Sequence, residues 1–139
     1  GAGTELETLR NDYAHCQNIS FAGFLQRKEL SQVLAGARAV IVMSQWYETF
    51  GMVVAEAFSC HVPVIVGNIG NVASLVDDGI NGIKFQYDSM EALRKAVTRF
   101  EGIDAEKMGM AAYEKYLNEF SEEKNYHNIE AIYQSCAGG

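Results

Sequence analysis

The sequence has few cysteines, a single proline and no long apolar run. Cys16, Cys60 and Cys136 are an odd number of thiols with no C-x-x-C spacing. This argues against a disulfide framework and against a thiolate zinc site, and it favours a reducing compartment. No apolar run approaches the roughly 20 residues that a membrane-spanning helix needs. We therefore predict a cytoplasmic protein.

Basic residues are also scarce. The chain has 11 Lys and Arg against 18 Asp and Glu, for a net charge of -7 and an isoelectric point near 4.9. Nucleic acids and anionic membrane surfaces call for basic patches, so the composition argues against both as partners. Between Arg38 and Lys84 there is no Lys or Arg at all. At 139 residues the chain is predicted to be one domain with a substantial core.

The most informative stretch that is present runs from Ser44 to Phe58. It follows a β-branched run, Ala39 to Met43, which predicts a strand buried on both faces. A helix beginning near Thr49 to Gly51 would bring its free N–H groups to the carboxyl end of that strand. Open α/β sheets bind phosphates there. Gly51 has no Cβ, so a ligand could approach the backbone closely.

Two carboxylates are placed to flank this crevice. Glu56 is the only charged residue from Phe50 to Phe58, and burying it is costly unless hydrogen-bond donors surround it. Glu48 lies eight residues earlier, on the predicted loop. The alternative is structural: Thr49 caps the helix, Glu48 favours its dipole and Glu56 pairs with a neighbouring helix.

The remaining elements follow from periodicity and turn signals. We predict a helix from Thr4 to Cys16 capped by Thr4, and a strand from Ile19 to Ala22 closed by Gly23. The later elements are a helix ending near Gly36, a strand from Val62 to Gly67 entered at Pro63, a short helix through Val76, a turn at 77–82, a strand from Ile83 to Phe85, and helices starting at Ser89, Asp104 and Ser121.

The E-x7-E spacing of Glu48 and Glu56 lies inside W-Y-E-T-F-G-M-V-V-A-E-A-F-S-C. With the strand at 62–66, the turn residues at 77–82 and Phe120-Ser121, it resembles the donor-binding half of retaining GT-B glycosyltransferases, the GT4-like glycosyl transferases group 1. The resemblance runs over residues 1–134. It implies an α/β fold, a Rossmann-like parallel sheet flanked by helices that forms the C-terminal half of a GT-B fold.

The resemblance also implies how the chain relates to a whole enzyme. In the family, Gly-x-Gly ends the second strand of this domain, and Gly23 stands near the start of this chain. We therefore expect residues 1–139 to be an N-terminally truncated donor-binding domain that lacks its first two strands and the N-terminal acceptor domain. The unpaired strand edges would then be closed by direct pairing of the strands at 19–22 and 40–43, or by another chain in a homo-oligomer.

By this resemblance the chain is part of a retaining hexosyltransferase. It would move a sugar from a nucleotide-diphosphate donor to a saccharide or lipid-linked acceptor in glycan or polysaccharide biosynthesis. Glu48 would be the catalytic residue beside the donor sugar, and Glu56 would accept hydrogen bonds from the ribose hydroxyls. The other expected donor-binding residues are Thr49, Phe50, Gly51 and Met52, through their backbones, and Phe24 and Leu25 near the nucleobase. No cofactor and no metal are expected, and the parent enzyme could be peripheral to the membrane.

Two departures from the family pattern matter. The basic pair that contacts the diphosphate in the family is missing, so only helix N-terminal amides remain, worth about 0.3–1 kcal/mol when exposed. We therefore expect the isolated chain to bind nucleotide weakly and to catalyse little. The family also has two glycines, a proline and a glutamate where this chain has Gly70, Asn71 and the residues to Ser74.

The alternative to an enzyme is a non-catalytic α/β interaction module, flavodoxin-like or receiver-like. Receiver domains need aspartates at the strand ends, and the predicted strands end in Met43-Ser44, Val66-Gly67 and Phe85-Gln86. A dinucleotide-binding enzyme is disfavoured, because no G-x-G-x-x-G follows a predicted strand.

Overall fold

The computed structural model describes residues 3–43 and 51–137. The chain divides into two compact units, Gly1–Val33 and Leu34–Gly139. Within the described residues, none of the helices is both long and apolar enough to cross a membrane.

A parallel sheet forms the centre of the second unit. Its strands among the described residues are β1 (Val40–Val42), β2 (Val64–Gly67) and β3 (Gly82–Phe85), in the order β1-β2-β3. The register places Val40 beside Val64 and Val64 beside Gly82. The helices that follow or connect them are α3 (Met52–Ser59), α4 (Gly70–Ser74), α5 (Met90–Glu101), α6 (Ala105–Lys115) and α7 (Glu122–Ala137). The predicted α/β fold is confirmed.

The central strand, β2, is buried along its whole length. Pro63 stands just before it, where the missing N–H removes no ladder bond, and its carbonyl accepts a hydrogen bond from the Val40 N–H at 3.0 Å. The predicted position of the proline at the entrance of this strand is therefore confirmed.

Side chains alternate across β2 and so supply two separate apolar layers. Val64 and Val66 belong to a core cluster with the buried face of α3, which includes Val54 and Phe58. Ile65 points to the opposite face. There it joins a second cluster made by the other buried residues Ile83, Phe85, Ala96, Phe100 and Met108. Helices thus cover both faces of β2.

The prediction that the first strand is buried on both faces is wrong. Val42 is buried in the same cluster as α3, but Ile41, on the other face, is 47% exposed. The reason is geometric: on that face α5 packs against β2 and β3. Within the described residues, β1 pairs on one side only, with β2.

The first unit contains α1 (Leu6–Asp12) and most of α2 (Arg27–Ala35). Helix α1 is shorter than predicted, and its N-cap is Glu5 with no side-chain cap bond, so the predicted cap by Thr4 is wrong. None of the residues of α1 is buried. Its apolar stripe therefore gains little from packing, and packing provides most of the stability of protein helices.

The predicted strand from Ile19 to Ala22 does not form. A strand exists only when its backbone groups pair with a neighbour, and among the described residues this segment has no partner strand. The expected direct pairing between this segment and the run at 40–43 is therefore not found. Gly23 has a left-handed backbone, with φ of +68°.

The predicted helix starts in the last third of the chain are confirmed. The Ser89 hydroxyl accepts from the Ala92 N–H at 3.1 Å, and Asp104 accepts from the N–H groups of Glu106 and Lys107, both at 3.1 Å. The sequence pattern predicts that the helix from Asp104 continues to Asn118. Instead α6 ends at Lys115 and a π-helical turn, Tyr116–Phe120, follows. Tyr116 and Phe120 pack against the core cluster of α3.

Helix α6 approaches the backbone before β2 very closely at Gly109. A Cβ added to this buried glycine would overlap the carbonyl oxygen of His61 and would lie 3.1 Å from its carbonyl carbon. His61 has a φ of +61° and its ring stacks on Tyr113, with centroids 3.7 Å apart. The backbone at His61 is therefore poorly able to retreat.

We expect Gly109→Ala to destabilise the protein by about 1–3 kcal/mol through overpacking. The sign of this stability change is informative, because replacing Gly by Ala inside a helix would otherwise stabilise the protein by about 1 kcal/mol. Urea unfolding of the two proteins measures the difference. Gly102→Ala is the matched control, since the nearest atom to its added Cβ is 3.7 Å away. Equal stability of Gly109→Ala and the wild type would contradict the packing described.

Candidate functional site

The sequence predicts a crevice at the carboxyl edge of the sheet. Helix α3 connects the end of β1 to the start of β2, so it runs antiparallel to the strands. Its N-terminus therefore faces the edge at which Val42 and Gly67 end their strands. Open α/β sheets bind ligands outside this edge. The predicted start of the helix near Gly51 is confirmed, with Gly51 as its N-cap.

Gly51 has a structural role that the sequence did not reveal. Its backbone is left-handed, with φ of 61° and ψ of 36°, and the residue is buried. An added Cβ would lie 2.8 Å from Cδ1 of Leu75 and 3.4 Å from Cγ2 of Val72. The glycine thus fixes where α3 begins and allows close packing against the α4 segment. Close approach of a ligand to its backbone stays a prediction.

The first turn of α3 offers backbone donors. The Val54 N–H bonds to the carbonyl of Gly51 at 2.9 Å. The N–H groups of Met52 and Val53 come before this first intrahelical bond and have no carbonyl within the helix to bond to. Such amides, aligned with the positive end of the helix dipole, can bind the oxygens of a phosphate.

Glu56 is half-buried in the middle of α3. Val54, Ala57 and Phe58 face the core, whereas Met52, one turn before Glu56 and on the same face, is 58% exposed. Among the described residues no ion pair or hydrogen bond reaches the Glu56 carboxylate. The alternative in which Glu56 pairs with a neighbouring helix is therefore not found in that part of the chain.

Several predicted site residues cannot be placed beside Glu56. Glu48, Thr49 and Phe50, with Trp46 and Tyr47, lie outside the described residues. Phe24 and Leu25 belong to the first unit, where Phe24 is 75% exposed and Leu25 is half-buried. The structure thus brings together Gly51, Met52 and Glu56 on one helix. The roles of all these residues stay predictions.

Three basic side chains of the second unit are engaged with other groups of the fold. The Arg38 guanidinium lies over the ring of Phe100, 5.9 Å from its centroid. Lys115 and Arg99 pair with Asp77 and Asp78 at 2.7 and 2.9 Å. In the described part of the chain, no group of three His, Cys, Asp or Glu side chains could hold a metal ion. The absence of a cofactor stays an expectation.

The turn at 77–82 carries a polar network that the sequence signalled only as a turn. The Asp77 N–H donates to Oδ1 of Asn81, whose Nδ2 donates back to Oδ2 of Asp77, both at 2.9 Å. Asn81 is only 1% exposed, so the pair satisfies its amide. The predicted turn is confirmed. It leads into the start of β3, at the opposite edge of the sheet from the N-terminus of α3.

Asp78 joins this turn to β3 and to α5. Its Oδ1 accepts from the Lys84 N–H at 2.9 Å, and Nη1 of Arg99 donates to Oδ1 at 3.1 Å and to Oδ2 at 2.9 Å. Burial acts to raise the pKa of Asp78, but the hydrogen bonds from Lys84 and Arg99 outweigh it, and the pKa is lowered. The pKa of Asp77 is also lowered, chiefly by its hydrogen bond from Lys115.

We expect Asp78→Asn to lower the free energy of unfolding at pH 7 by about 1 kcal/mol, since the ion pair is partly exposed. A lowered pKa means that the charged form stabilises the fold above the unfolded pKa near 3.9 and that this is lost as the pH falls through the folded pKa. The difference from wild type should be constant from pH 7 to about pH 5 and shrink below about pH 4.

Chemical denaturation across this pH range measures the effect. Asp88→Asn, an exposed aspartate after β3, is the control and should change little. A difference between Asp78→Asn and wild type that stayed the same down to pH 3 would show that the charge of Asp78 is not what stabilises the turn.

Solved structures identify the class of fold. Sucrose-phosphate synthase from Thermosynechococcus elongatus matches with a TM-score of 0.82 and 25% identity, over 96% of this chain and 34% of that one. The Anabaena protein HepE in complex with UDP matches with a TM-score of 0.79 and 24% identity, over 94% and 36% of the two chains. These neighbours are GT-B glycosyltransferases, and the second unit has their α/β architecture.

The family follows from the sequence comparison. The model of glycosyl transferases group 1 matches residues 1–117, and the chain belongs to this family. An uncharacterized glycosyltransferase of Methanocaldococcus jannaschii is 28% identical over 125 residues, 86% of this chain and 35% of the relative. Glycogen synthase of Thermus thermophilus is 28% identical over 136 residues, 98% and 30% of the two chains. This chain thus spans about a third of the length of these relatives.

Proposed function

We propose that this chain is the donor-binding part of a retaining GT4 glycosyltransferase that uses a nucleotide-diphosphate sugar. The observation that carries the proposal is the half-buried Glu56 carboxylate, which has no partner among the described residues and lies one turn from the first residue of α3. Family membership supports a transferase, and the UDP complex of HepE supports this class of donor.

In this proposal the donor lies along one face of α3. One carboxylate can accept both hydrogen bonds of a vicinal diol, so Glu56 binds the ribose hydroxyls. The N–H groups of Met52 and Val53 receive the diphosphate. Gly51, Thr49 and Phe50 add backbone contacts, and Phe24 and Leu25 border the nucleobase. Because the amide and dipole contribution is only about 0.3–1 kcal/mol at an exposed site, binding is weak.

The chemistry needs more than this chain. Glu48 lies beside the donor sugar as the catalytic residue. The bond between the anomeric carbon and the phosphate oxygen breaks, and the nucleoside diphosphate leaves with the electron pair. The acceptor hydroxyl oxygen forms the new bond to the anomeric carbon, and its proton passes to the departing diphosphate. No metal or cofactor takes part. Since the relatives are about three times as long, we propose that the acceptor binds mainly on a further, N-terminal domain and that the isolated chain is inactive.

The same relatives support a proposed acceptor class for the reaction. Glycogen synthase supports a saccharide acceptor and a role in polysaccharide biosynthesis, with a lipid-linked acceptor as the other class. The parent enzyme is proposed to be cytoplasmic and could be peripheral to the membrane.

Glu56→Ala should abolish nucleotide binding. Calorimetric titration of UDP, GDP and ADP at low salt and millimolar concentration measures it, and one of the three should bind to the wild type. A lost pair of hydrogen bonds to a charged group costs about 1.5–3 kcal/mol or more, which weakens binding at least tenfold. The nucleotide that binds identifies the base of the donor.

Glu101→Ala, which removes an exposed carboxylate at the end of α5, is the matched control and should bind like wild type. If Glu56→Ala bound the nucleotide as tightly as wild type, the proposed hydrogen bonds from the ribose hydroxyls to Glu56 would be wrong. If none of the three nucleotides bound, the result would contradict the proposal and favour the non-catalytic interaction module.

We also propose that the outer edge of β1 pairs with a second copy of the chain. Ile41 and Met43 are 47% and 52% exposed beside this strand, and unpaired strand edges recruit partners. Light scattering should then find a dimer or larger species. Ile41→Lys, a charge on the strand, should shift the population toward monomer. A strict monomer for the wild type at all concentrations would exclude this pairing.

A further inference from the structure

The sequence contains one Asn-Gly dipeptide, Asn81-Gly82, which ends the 77–82 turn where β3 begins. Asn-Gly is the dipeptide most prone to deamidation, because glycine has no side chain to hinder attack by its own backbone nitrogen on the preceding amide. Asparagine followed by a larger residue reacts more slowly. The chain therefore carries a chemically labile amide directly before a strand of its sheet.

Packing requires the glycine of this dipeptide. A Cβ added to Gly82 would lie 2.5 Å from the carbonyl oxygen of Val64 and 2.8 Å from Cγ1 of Val76. Val64 belongs to the completely buried strand β2, whose close-packed surroundings leave its backbone no room to retreat. A larger residue at position 82 would thus remove the chemical liability only at the expense of the sheet.

The folded turn opposes deamidation of Asn81. The reaction needs the Gly82 nitrogen to reach the side-chain carbonyl carbon of Asn81. Both polar atoms of that amide are instead held by Asp77, four residues earlier, at 2.9 Å. Asn81 is 1% exposed, and Gly82 is paired with Val64 in the sheet. Because the hydrogen bonds of a buried amide must first break, the reaction has to wait for the turn to open.

We propose that Asn81 is a deamidation site that folding protects and unfolding exposes, and that its modification prevents the chain from refolding. In the unfolded chain the Gly82 nitrogen forms a bond to the amide carbon of Asn81. The amide nitrogen takes up the proton that the Gly82 nitrogen loses, and it leaves as ammonia. Water then opens the cyclic imide at one of its two carbonyls, which gives aspartate or isoaspartate. This inference does not depend on the proposed donor site.

Neither product fits the folded turn. Aspartate at position 81 would place a carboxylate oxygen where Nδ2 of Asn81 now lies 2.9 Å from Oδ2 of Asp77. Two carboxylates at this distance repel each other, and position 81 is buried, so water does not screen the repulsion. Isoaspartate lengthens the backbone by one carbon directly before β3 and disturbs its register with β2. A chain modified while unfolded therefore loses its native turn.

Mass spectrometry of the wild-type chain in neutral buffer and in urea measures the protection. Deamidation of Asn81 should be slower in neutral buffer by about tenfold or more, because only the opened fraction of the molecules reacts. Ala35→Asn is the positive control, since it creates a second Asn-Gly dipeptide at the exposed end of α2. That dipeptide should react readily in both solvents. Equal rates for Asn81 in buffer and in urea would overturn the protection.

Two substitutions test whether Asp77 provides this protection. Asp77→Ala removes the acceptor of Asn81 Nδ2 and should speed deamidation in neutral buffer several-fold. Lys115→Met removes the ion pair of Asp77, 2.7 Å long, but leaves its hydrogen bonds with Asn81 in place. It is the matched control for lost stability and should react like wild type. Equal rates in the two variants would show that Asp77 does not hold the amide.

Refolding tests the second part of the proposal. When wild-type chain that has aged in urea is diluted into buffer, the refolded fraction should be depleted in molecules modified at position 81. Asn81→Asp should refold poorly, whereas Asn128→Asp, the same change at an exposed position of α7, should refold like wild type. Equal modification of the refolded and unfolded fractions, or normal refolding of Asn81→Asp, would overturn the proposed block to refolding.

Discussion

Burial of β2 on both faces is the constraint on which the rest of the second unit depends. Because Val64 and Val66 face one layer and Ile65 the other, the strand needs a helix on each side. Helix α3 supplies one layer and α5 the other. Complete burial of Val54, Ala57 and Phe58 then fixes the rotation of α3 about its axis. The same rotation places Glu56 at the margin of the core, where a carboxylate is half-shielded from water but not enclosed.

Charge is distributed unevenly across this architecture. Lys115 and Arg99 form ion pairs with the aspartates of the 77–82 turn, and the guanidinium of Arg38 lies over the ring of Phe100. These three cations thus serve contacts within the fold. At the start of α3 the described residues offer backbone donors and the helix dipole.

Much of the second unit could be predicted from the sequence, because its signals are local. Ser89 and Asp104 cap helices where predicted, Pro63 precedes β2, and the turn before β3 forms. The predictions that were wrong concern segments whose structure depends on contacts with other parts of the chain. Ile19 to Ala22 has the composition of a strand but finds no neighbour to pair with among the described residues. Ile41 was expected to be buried, and whether a face is covered depends on how far α5 extends.

The candidate site likewise has features that the sequence predicts and features that it does not. The start of α3 at Gly51 was predictable from the apolar run that follows. The family was recognisable from E-x7-E together with the strand at 62–66, the turn residues at 77–82 and Phe120-Ser121. The packing of Gly51 on Leu75 was not, since it joins segments more than 20 residues apart. The ties from Asp77 to Lys115 and from Asp78 to Arg99 span 38 and 21 residues, and no local pattern reports such a distance.

The turn at 77–82 also decides in which direction the sheet can grow. Asp78 occupies the Lys84 N–H, and the Gly79 N–H occupies the carbonyl of Gly82, so backbone groups of β3 that could serve another strand are already bonded. The Asp78 carboxylate accepts from a β3 N–H that a further strand would otherwise bond, and it adds no new strand edge. Along β1 the described residues provide no such cover. The two margins of one small sheet are therefore unequal, and any added strand is directed to the β1 side.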